Sequence, residues 1–370
     1  MMAVLVLITA LIFAVVVTPL VRNLAIRIGF VAVPKSDRAH TKTTPLMGGV
    51  ALYIAFMVAI VSLALIVQLA STPETTDPTL SLGELVIVLV CGTLLAGVGL
   101  VDDWYAFPSS IKLGLQFVPV IILLLLTDIG IDMPLPDLAN RGLSVCWFLY
   151  VINAFNYTDN MDGVAGMIAT IAGMFFTVIT IINGQIMVAA LSAAVAGTSA
   201  GFLRFNLFEN ERKIFMGDVG SLFLGFLLAV IGVKLTFPAD SPWVTWPVPV
   251  IVLGVPIFDT ALVFVSRWRR GQSFLAGGTD HLSHRFKRIG FDRFGTPFAV
   301  GLLGSALGCS AIIIMNSSLE DSFAMQGLVA FCALYLLYRM EFSVPYEFIT
   351  GKVRETETLA EPLASEMDQS

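Results

Sequence analysis

Six carboxylates and one amide stand out in a chain that is otherwise mostly apolar. Asp102 and Asp103 are adjacent in VGLVDDWYAF. Asn156, Asp159 and Asp162 recur every three residues in NAFNYTDNMDG. Asp218 lies three residues before Ser221 in FMGDVGS, and Asp259 closes PIFD. Carboxylates and an amide are hard oxygen donors, the set that Mg²⁺ or Mn²⁺ prefers when phosphate oxygens complete the shell. The acidic pair has no Lys or Arg beside it in sequence. At the end of an apolar helix it faces the negative pole of the helix dipole, which costs a few tenths of a kcal/mol or more. A bound cation or a cationic partner relieves that tension; the competing reading is two solvated carboxylates just past the helix end. If NYTDNMDG winds helically, Asn156, Asp159 and Asp162 share one face. Asp162, before Gly163, is equally placed to cap the next helix. Asp218 also precedes an apolar run and competes as a cap, while Gly217 and Gly220 admit close backbone approach at a helix start suited to phosphate.

The three histidines narrow the chemistry. His281 and His284 are three apart beside Asp280, Arg285, Lys287 and Arg288. A zinc site needs more nitrogen or sulfur ligands than this pair supplies, whereas imidazole and cationic donors suit an anion such as phosphate. The plainer alternative is an ordinary basic loop. Lys42 and Lys112 read equally well as phosphate donors or as charges that set topology. Cys91, Cys146, Cys309 and Cys332 lack metal-ligand spacing and read as buried small apolar residues, with no disulfide framework.

The elements that position these groups are membrane helices. Hydrophobic residues make up 57% of the 370 residues and charged residues 13%, against about 45–50% and about 25% in soluble domains. Eleven apolar stretches approach the roughly 20 residues a crossing needs: 2–20, 47–70, 84–101, 114–131, 143–156, 163–182, 185–203, 219–236, 247–266, 296–315 and 323–340. The fifth is short, and an Asn183-Gly184 turn alone divides the sixth from the seventh. Barrel-type alternation is absent, so the expectation is all-α. The first apolar run has no basic start and Arg22 follows it, which predicts a retained helix beginning outside. With that orientation 19 of the 21 Lys and Arg fall in inner loops or the C-terminal tail, placing the N-terminus outside and the C-terminus in the cytoplasm. Residues 1–340 then form a single transmembrane domain, followed by a polar acidic tail, 341–370. Five inner loops bring the polar segments to one face. Asp259 alone lies deep, about 12 Å before Arg267 at 1.5 Å per residue, where a carboxylate must pair or bind something.

From Pro34 to Arg288 these segments resemble, in order, the signatures of the polyprenyl-phosphate N-acetylhexosamine-1-phosphate transferases, bacterial glycosyltransferase family 4. PKSDRAHTKTTPLMGG resembles the first inner-loop signature, VDDW the aspartate pair, NAFNYTDNMDG the N-x-x-D-x-x-D-G signature, FMGDVGSLFLG the G-D-x-G-S signature, and PIFD another. DHLSHR resembles the histidine loop of the branch that accepts UDP-N-acetylglucosamine, except that Ser283 stands where that branch usually has a third histidine. The resemblance implies transfer of a sugar-1-phosphate, GlcNAc-1-phosphate in that branch, from a UDP-sugar to undecaprenyl or decaprenyl phosphate. UMP leaves at the cytoplasmic face of the bacterial inner membrane, and the product starts a cell-envelope glycan. It implies Mg²⁺, with Mn²⁺ as a substitute, held by Asp218 and Asn156. Asp159 and Asp162 then line the nucleotide site with Ser221. Asp102 and Asp103 orient the lipid phosphate or accept its proton, and Lys42, Lys112, His281, His284 and Arg285 hold phosphates and sugar. Asp259 has no assigned role. A homodimer is compatible with this reading, and no nucleic-acid partner is expected. The rivals are a phospho-N-acetylmuramoyl-pentapeptide transferase of the same family, a secondary transporter with midplane carboxylates, and a non-catalytic scaffold.

Overall fold

In hydrocarbon a backbone must satisfy its own amides, and long runs of Leu, Ile, Val and Ala do so by winding into helices. The computed structural model describes residues 1–32, 43–70, 79–208, 211–237, 241–274 and 278–343. Helix α1 (Met2–Ile28) stops at Gly29, whose φ of 73° turns the chain back. A two-stranded antiparallel ribbon follows, β1 (Val31–Ala32) against β2 (Thr44–Pro45), with Val31 opposite Pro45. This ribbon is the one departure from the all-α expectation among the described residues. Next come α2 (Gly48–Ala70), α3 (Leu82–Tyr105), α4 (Ser109–Leu126), α5 (Asp137–Thr158) and α6 (Val164–Ile182). Helix α7 (Ile186–Leu203) runs on into a π-helical turn, Arg204–Phe208. Then follow α8 (Gly217–Lys234), α9 (Pro242–Thr245), α10 (Pro247–Val252), α11 (Gly254–Arg269), α12 (Leu282–Arg288), α13 (Gly295–Met315) and α14 (Leu319–Tyr338). A second π-helical turn, Arg339–Ser343, ends the described chain.

Nine helices among the described residues are long and apolar enough to cross a bilayer, and Pro242–Val252 (α9 and α10) with α11, bent by 76°, makes a tenth if the pair is one span. The expected eleven therefore exceed what length and composition support. Helix α5 has the length, 22 residues, but carries Asp137, Asn140, Arg141, Asn153 and Asn156. The span expected over 247–266 is broken at Leu253. Pro256 has no N–H to give the preceding turn, and Gly254 does not hold the backbone straight.

Helix α8 forms the axis: Leu222, Phe223, Leu224, Phe226, Leu227 and Leu228 are wholly buried. Helices α2, α3 and α5 pack around it, and α1 lies against α7. Small residues, Ala10 and Ala14 facing Gly197 and Gly201, bring those last two backbones close. The outside is apolar: Val4, Ile8 and Ile12 on α1 and Leu328, Phe331 and Leu334 on α14 are all exposed. A soluble surface does not tolerate such a belt; lipid does. Of the cysteines only Cys91 is buried. Cys146, Cys309 and Cys332 lie on exposed helix flanks, because a thiol costs nothing against lipid, which corrects the expectation of four buried residues.

Three boundary shifts matter for the site. Helix α3 continues through Tyr105, so Asp102 and Asp103 sit in its last turn and not beyond it. Helix α4 starts at Ser109, five residues earlier than expected, after Pro108 sets the entry angle. Lys112 is therefore in its first turn. The residues after Tyr338 are not all loose tail: Met340 and Glu341 are buried in the π-helical turn.

Candidate active site

Helices α3 and α8 run antiparallel, and each end of the pair is tied by charge. At one end Lys234 Nζ donates to Glu84 Oε1 at 2.9 Å. At the other, Asp103 Oδ1 accepts the Asp218 N–H at 3.0 Å and Oδ2 accepts the Val219 N–H at 3.4 Å. Asp103 thus caps the first amides of a helix to which it does not belong, where a carboxylate meets the positive dipole end. The capping that competed as the reading of Asp218 is done by Asp103. Gly217 makes this possible, since it adopts φ 70° and a β-carbon there would overlap the Asp103 carboxylate.

Asp218 is left to face α4 and α5. Lys112 Nζ lies 2.7 Å from Asp218 Oδ2, 3.0 Å from Asp102 Oδ2 and 3.2 Å from Asn156 Oδ1. The Asn156 amide donates to Asp218 Oδ1 at 2.6 Å and to Ser221 Oγ at 2.7 Å. Asp102 Oδ1 also accepts the Phe107 N–H at 2.7 Å, which fixes the exit from α3. The acidic pair therefore has its cation in three dimensions, ten residues along, and its two members turn opposite ways. Beneath the site, Gln116 and Asn153 exchange side-chain hydrogen bonds of 2.6 and 3.3 Å, as polar groups between membrane helices must.

Helical winding does not carry the three-residue spacing through to Asp162. Helix α5 ends at Thr158, and the chain turns until Gly163, φ 77°, whose N–H donates to Asn206 Oδ1 at 2.7 Å. Asn156 and Asp159 remain near Asp218. Burial pushes the Asp159 carboxyl up to about 7, and the neighbouring Asp218 and Asp162 charges push the same way. Asp162 turns aside to an ion pair with Lys213, with Arg293 Nε 4.0 Å away, and does not cap α6.

The histidine loop docks on the same end of the bundle. Ser283 Oγ donates to Asn160 Oδ1 at 2.5 Å, joining α12 to the turn after α5. His281 Nδ1 lies 2.8 Å from Asp259 Oδ2, and Asp259 Oδ1 accepts the Leu282 N–H at 2.6 Å. Burial pushes the His284 imidazole down to about 4, helped by positive charge on His281, Arg288 and Lys287. Burial alone raises an acid, but at Asp280 the Arg267 guanidinium overrides it and holds the carboxyl well below the usual range. Arg285, expected among the sugar or diphosphate donors, is turned inward. Its nitrogens reach the Asp280 carbonyl, the Met340 carbonyl, Ser266 Oγ and Glu341 Oε2 at 2.5–3.0 Å. Lys42 lies outside the described residues.

No group of three His, Cys, Asp or Glu among the described residues is arranged to enclose a metal by itself. The donor set nevertheless fits Mg²⁺, which commonly takes one or two carboxylates and completes its shell with water and substrate phosphate. Two carboxylate oxygens and an amide oxygen already converge on one cation, the Lys112 ammonium. Sequence reasoning passed over Asn160, Lys213 and Glu341. The first stands between two candidate acids in NYTDNMDG, the second is one of many inner-loop charges, and the third opens the polar acidic segment 341–370. Only Asn160 had a usable signal, its place between two candidate acids.

A sequence profile described as Glycosyl transferase family 4 matches residues 85–236. That stretch runs from α3 to the end of α8 and holds every described member of the acidic cluster, but not α12. The chain is 28% identical over 321 residues to the probable undecaprenyl-phosphate N-acetylglucosaminyl 1-phosphate transferase of Bacillus subtilis, covering 84% of this chain and 85% of that one. It is 32% identical over 314 residues to the decaprenyl-phosphate N-acetylglucosaminephosphotransferase of Mycolicibacterium smegmatis, covering 76% and 74%. A phospho-N-acetylmuramoyl-pentapeptide-transferase of Clostridium botulinum is 31% identical over a shorter stretch, 248 residues, or 62% and 69%. Likeness that spans three quarters of both chains and centres on the helices carrying Asp102, Lys112, Asn156 and Asp218 places the protein: it belongs to glycosyl transferase family 4, the polyprenyl-phosphate N-acetylhexosamine-1-phosphate transferases.

Proposed function

We infer that this enzyme transfers N-acetylglucosamine-1-phosphate from UDP-N-acetylglucosamine to a polyprenyl phosphate at the cytoplasmic face of the bacterial inner membrane. A lipid phosphate oxygen bonds to the sugar-bearing phosphorus, the bond linking the two phosphates breaks, and UMP leaves. The observation that carries the reading is the meeting of Asp102, Asp218 and Asn156 on Lys112 at the ends of α3, α8, α5 and α4. The names of the Bacillus and Mycolicibacterium relatives support the transferred group and the polyprenyl acceptor. Orientation rests on charge: the end opposite Glu84 and Lys234 gathers Arg22, Lys112, Lys213 and Arg293, the cytoplasmic sign. Eleven crossings follow if α5 spans as well.

Both substrates are anionic, so the work is positioning and neutralisation more than covalent chemistry. Asp218 and the Asn156 amide oxygen would hold Mg²⁺, which supplies positive charge to diphosphate oxygens. Lys112 keeps Asp102 and Asp218 from repelling each other and offers its ammonium to an incoming phosphate. Asp103, with both oxygens committed to the start of α8, sets the position of Asp218. Asp159 borders the nucleotide, Ser221, wholly buried, holds the Asn156 amide in place instead of meeting the nucleotide, and His281 and His284 face the sugar-phosphate. Since a phosphate monoester is already largely dianionic at neutral pH, orientation of the lipid phosphate by Asp102 matters more than removal of its proton. Apart from Asp259, the carboxylates cluster at helix ends, not at the midplane where a transporter places its coupling site.

The match to the Clostridium muramoyl-pentapeptide enzyme supports a second reading, a different UDP-sugar on the same machinery. Purified protein in lipid nanodiscs, given polyprenyl phosphate, Mg²⁺ and radiolabelled UDP-sugar, separates the two. The expected result is label in the lipid and one UMP per transfer from UDP-N-acetylglucosamine, with little from UDP-muramoyl-pentapeptide. The reverse preference selects the second reading, and no transfer from either removes both.

A further inference from the structure

We propose that Asp259 is the positioning residue for His281, holding its imidazole so that Nδ1–H points into the protein and Nε2 meets the sugar-phosphate. The proposal rests on the functional reading above for the identity of that substrate, but its geometry stands alone. Asp259 is 2% exposed on α11, the helix that begins anew after the 76° break. A buried carboxylate at that depth is costly unless both oxygens are used. Both are: Oδ1 accepts the Leu282 N–H, the first amide of α12, and Oδ2 lies on His281 Nδ1. A carboxylate only accepts hydrogen bonds, so the shared proton belongs to Nδ1. Whether the ring is neutral or cationic, Nδ1 keeps that proton, and Nε2 is the nitrogen left for a ligand. Among the described residues Nε2 has no protein partner; the ring packs in a T-shaped contact with Tyr157, with centroids 6.3 Å apart.

The two bonds act together. The backbone bond fixes where α12 starts, and the side-chain bond fixes how the ring on its cap residue is turned. This is the arrangement by which a carboxylate sets tautomer and orientation for a metal-ligating or catalytic histidine. Ser283, bonded to Asn160, holds the next turn of the same helix against the α5 end. The break at Leu253 then has a use, because it redirects α11 so that an acid inside the bundle reaches a histidine in a loop.

The test is nitrogen NMR of the full chain in nanodiscs with ¹⁵N-labelled histidine, the His281 signals being assigned by their loss in His281→Gln. The expected spectrum of the unaltered protein has the proton on Nδ1 of His281, and Asp259→Asn redistributes it between the two nitrogens. In the transfer assay Asp259→Asn should lower kcat/KM for the UDP-sugar by ~10–100-fold. KM for the polyprenyl phosphate stays unchanged, and Asp259→Glu restores part of the loss. Combining Asp259→Asn with His281→Gln adds little to the loss from His281→Gln alone. A proton on Nε2 with none on Nδ1 in the unaltered protein, an Asp259→Asn spectrum like that of the parent, or losses that multiply in the double variant overturns the proposal. Failure of the functional reading would show differently, as absent transfer by the unaltered protein with the Nδ1–H signature intact.

Discussion

Replacing Lys112 by Met leaves Asp102 and Asp218 facing each other with no cation between them, since both lie within 3.0 Å of the same nitrogen. UMP release should fall about 100- to 1,000-fold, the scale for losing one preorganised charge, and Lys112→Arg should recover only part of it, because a planar fork does not replace a compact ammonium. His284 gives a prediction in pH. Its folded imidazole protonates near 4, whereas in the unfolded chain it protonates near ~6.5. Between those values the unfolded state binds more protons, so stability falls as pH drops from ~6.5 toward ~4 and levels off below. Melting curves at pH 4.5 and 7 should converge in His284→Gln by the amount this residue contributes. At this scale the sequence was legible in residue type. Asp102, Asp103, Asn156, Asp159 and Asp218 are polar groups where an apolar chain cannot leave them idle, and the structure brings them together. Their pairing was not legible. Lys112 is ten residues from Asp102 but 106 from Asp218, and the split of the acidic pair, Asp102 to a lysine and Asp103 to a helix start, depends on how α3 lies against α8.

Helix α14 shows what an element contributes beyond its own packing. Much of it is exposed, with only Ser322 buried along its length, yet the turn after it inserts Glu341 between Arg285 and Arg269 at 2.9 and 2.7 Å. Met340 meets Leu262 and Leu282 in the same place. Glu341→Ala takes from the buried Arg285 guanidinium the carboxylate it pairs with and should cost about 3–5 kcal/mol, read as a lower thermal midpoint in detergent. Glu341→Gln, which keeps an acceptor, should cost less. Helix periods and hydropathy made nearly every long helix readable. They could not foretell that α5 stops at Thr158, because Gly163 and its bond to Asn206 belong to tertiary structure. Nor could they reveal a folded turn in a segment whose composition reads as tail. The break before α11 is half legible, since a proline at 256 disturbs a helix nearby but does not fix the break at Leu253.

For the whole molecule, the account is that distant helices deliver acids, an amide and a lysine to one end of a membrane bundle, where a lipid-borne and a nucleotide-borne phosphate can meet. The positive-inside pattern predicted that gathering before any distance was known, since loops far apart in sequence had to share a face. Topology alone could not say whether the loops touch. Contacts such as Ser283 to Asn160 and Arg22 to the Lys213 carbonyl bring them within hydrogen-bond range. The most direct test is transfer of radiolabelled N-acetylglucosamine-1-phosphate to polyprenyl phosphate by purified Asp218→Ala and Asp103→Ala proteins whose melting temperatures stay near that of the parent. The account predicts a loss of ~1,000-fold or more in each, one by removing the acid that faces Lys112 and the other by releasing the start of α8. Full transfer by either folded variant would contradict it.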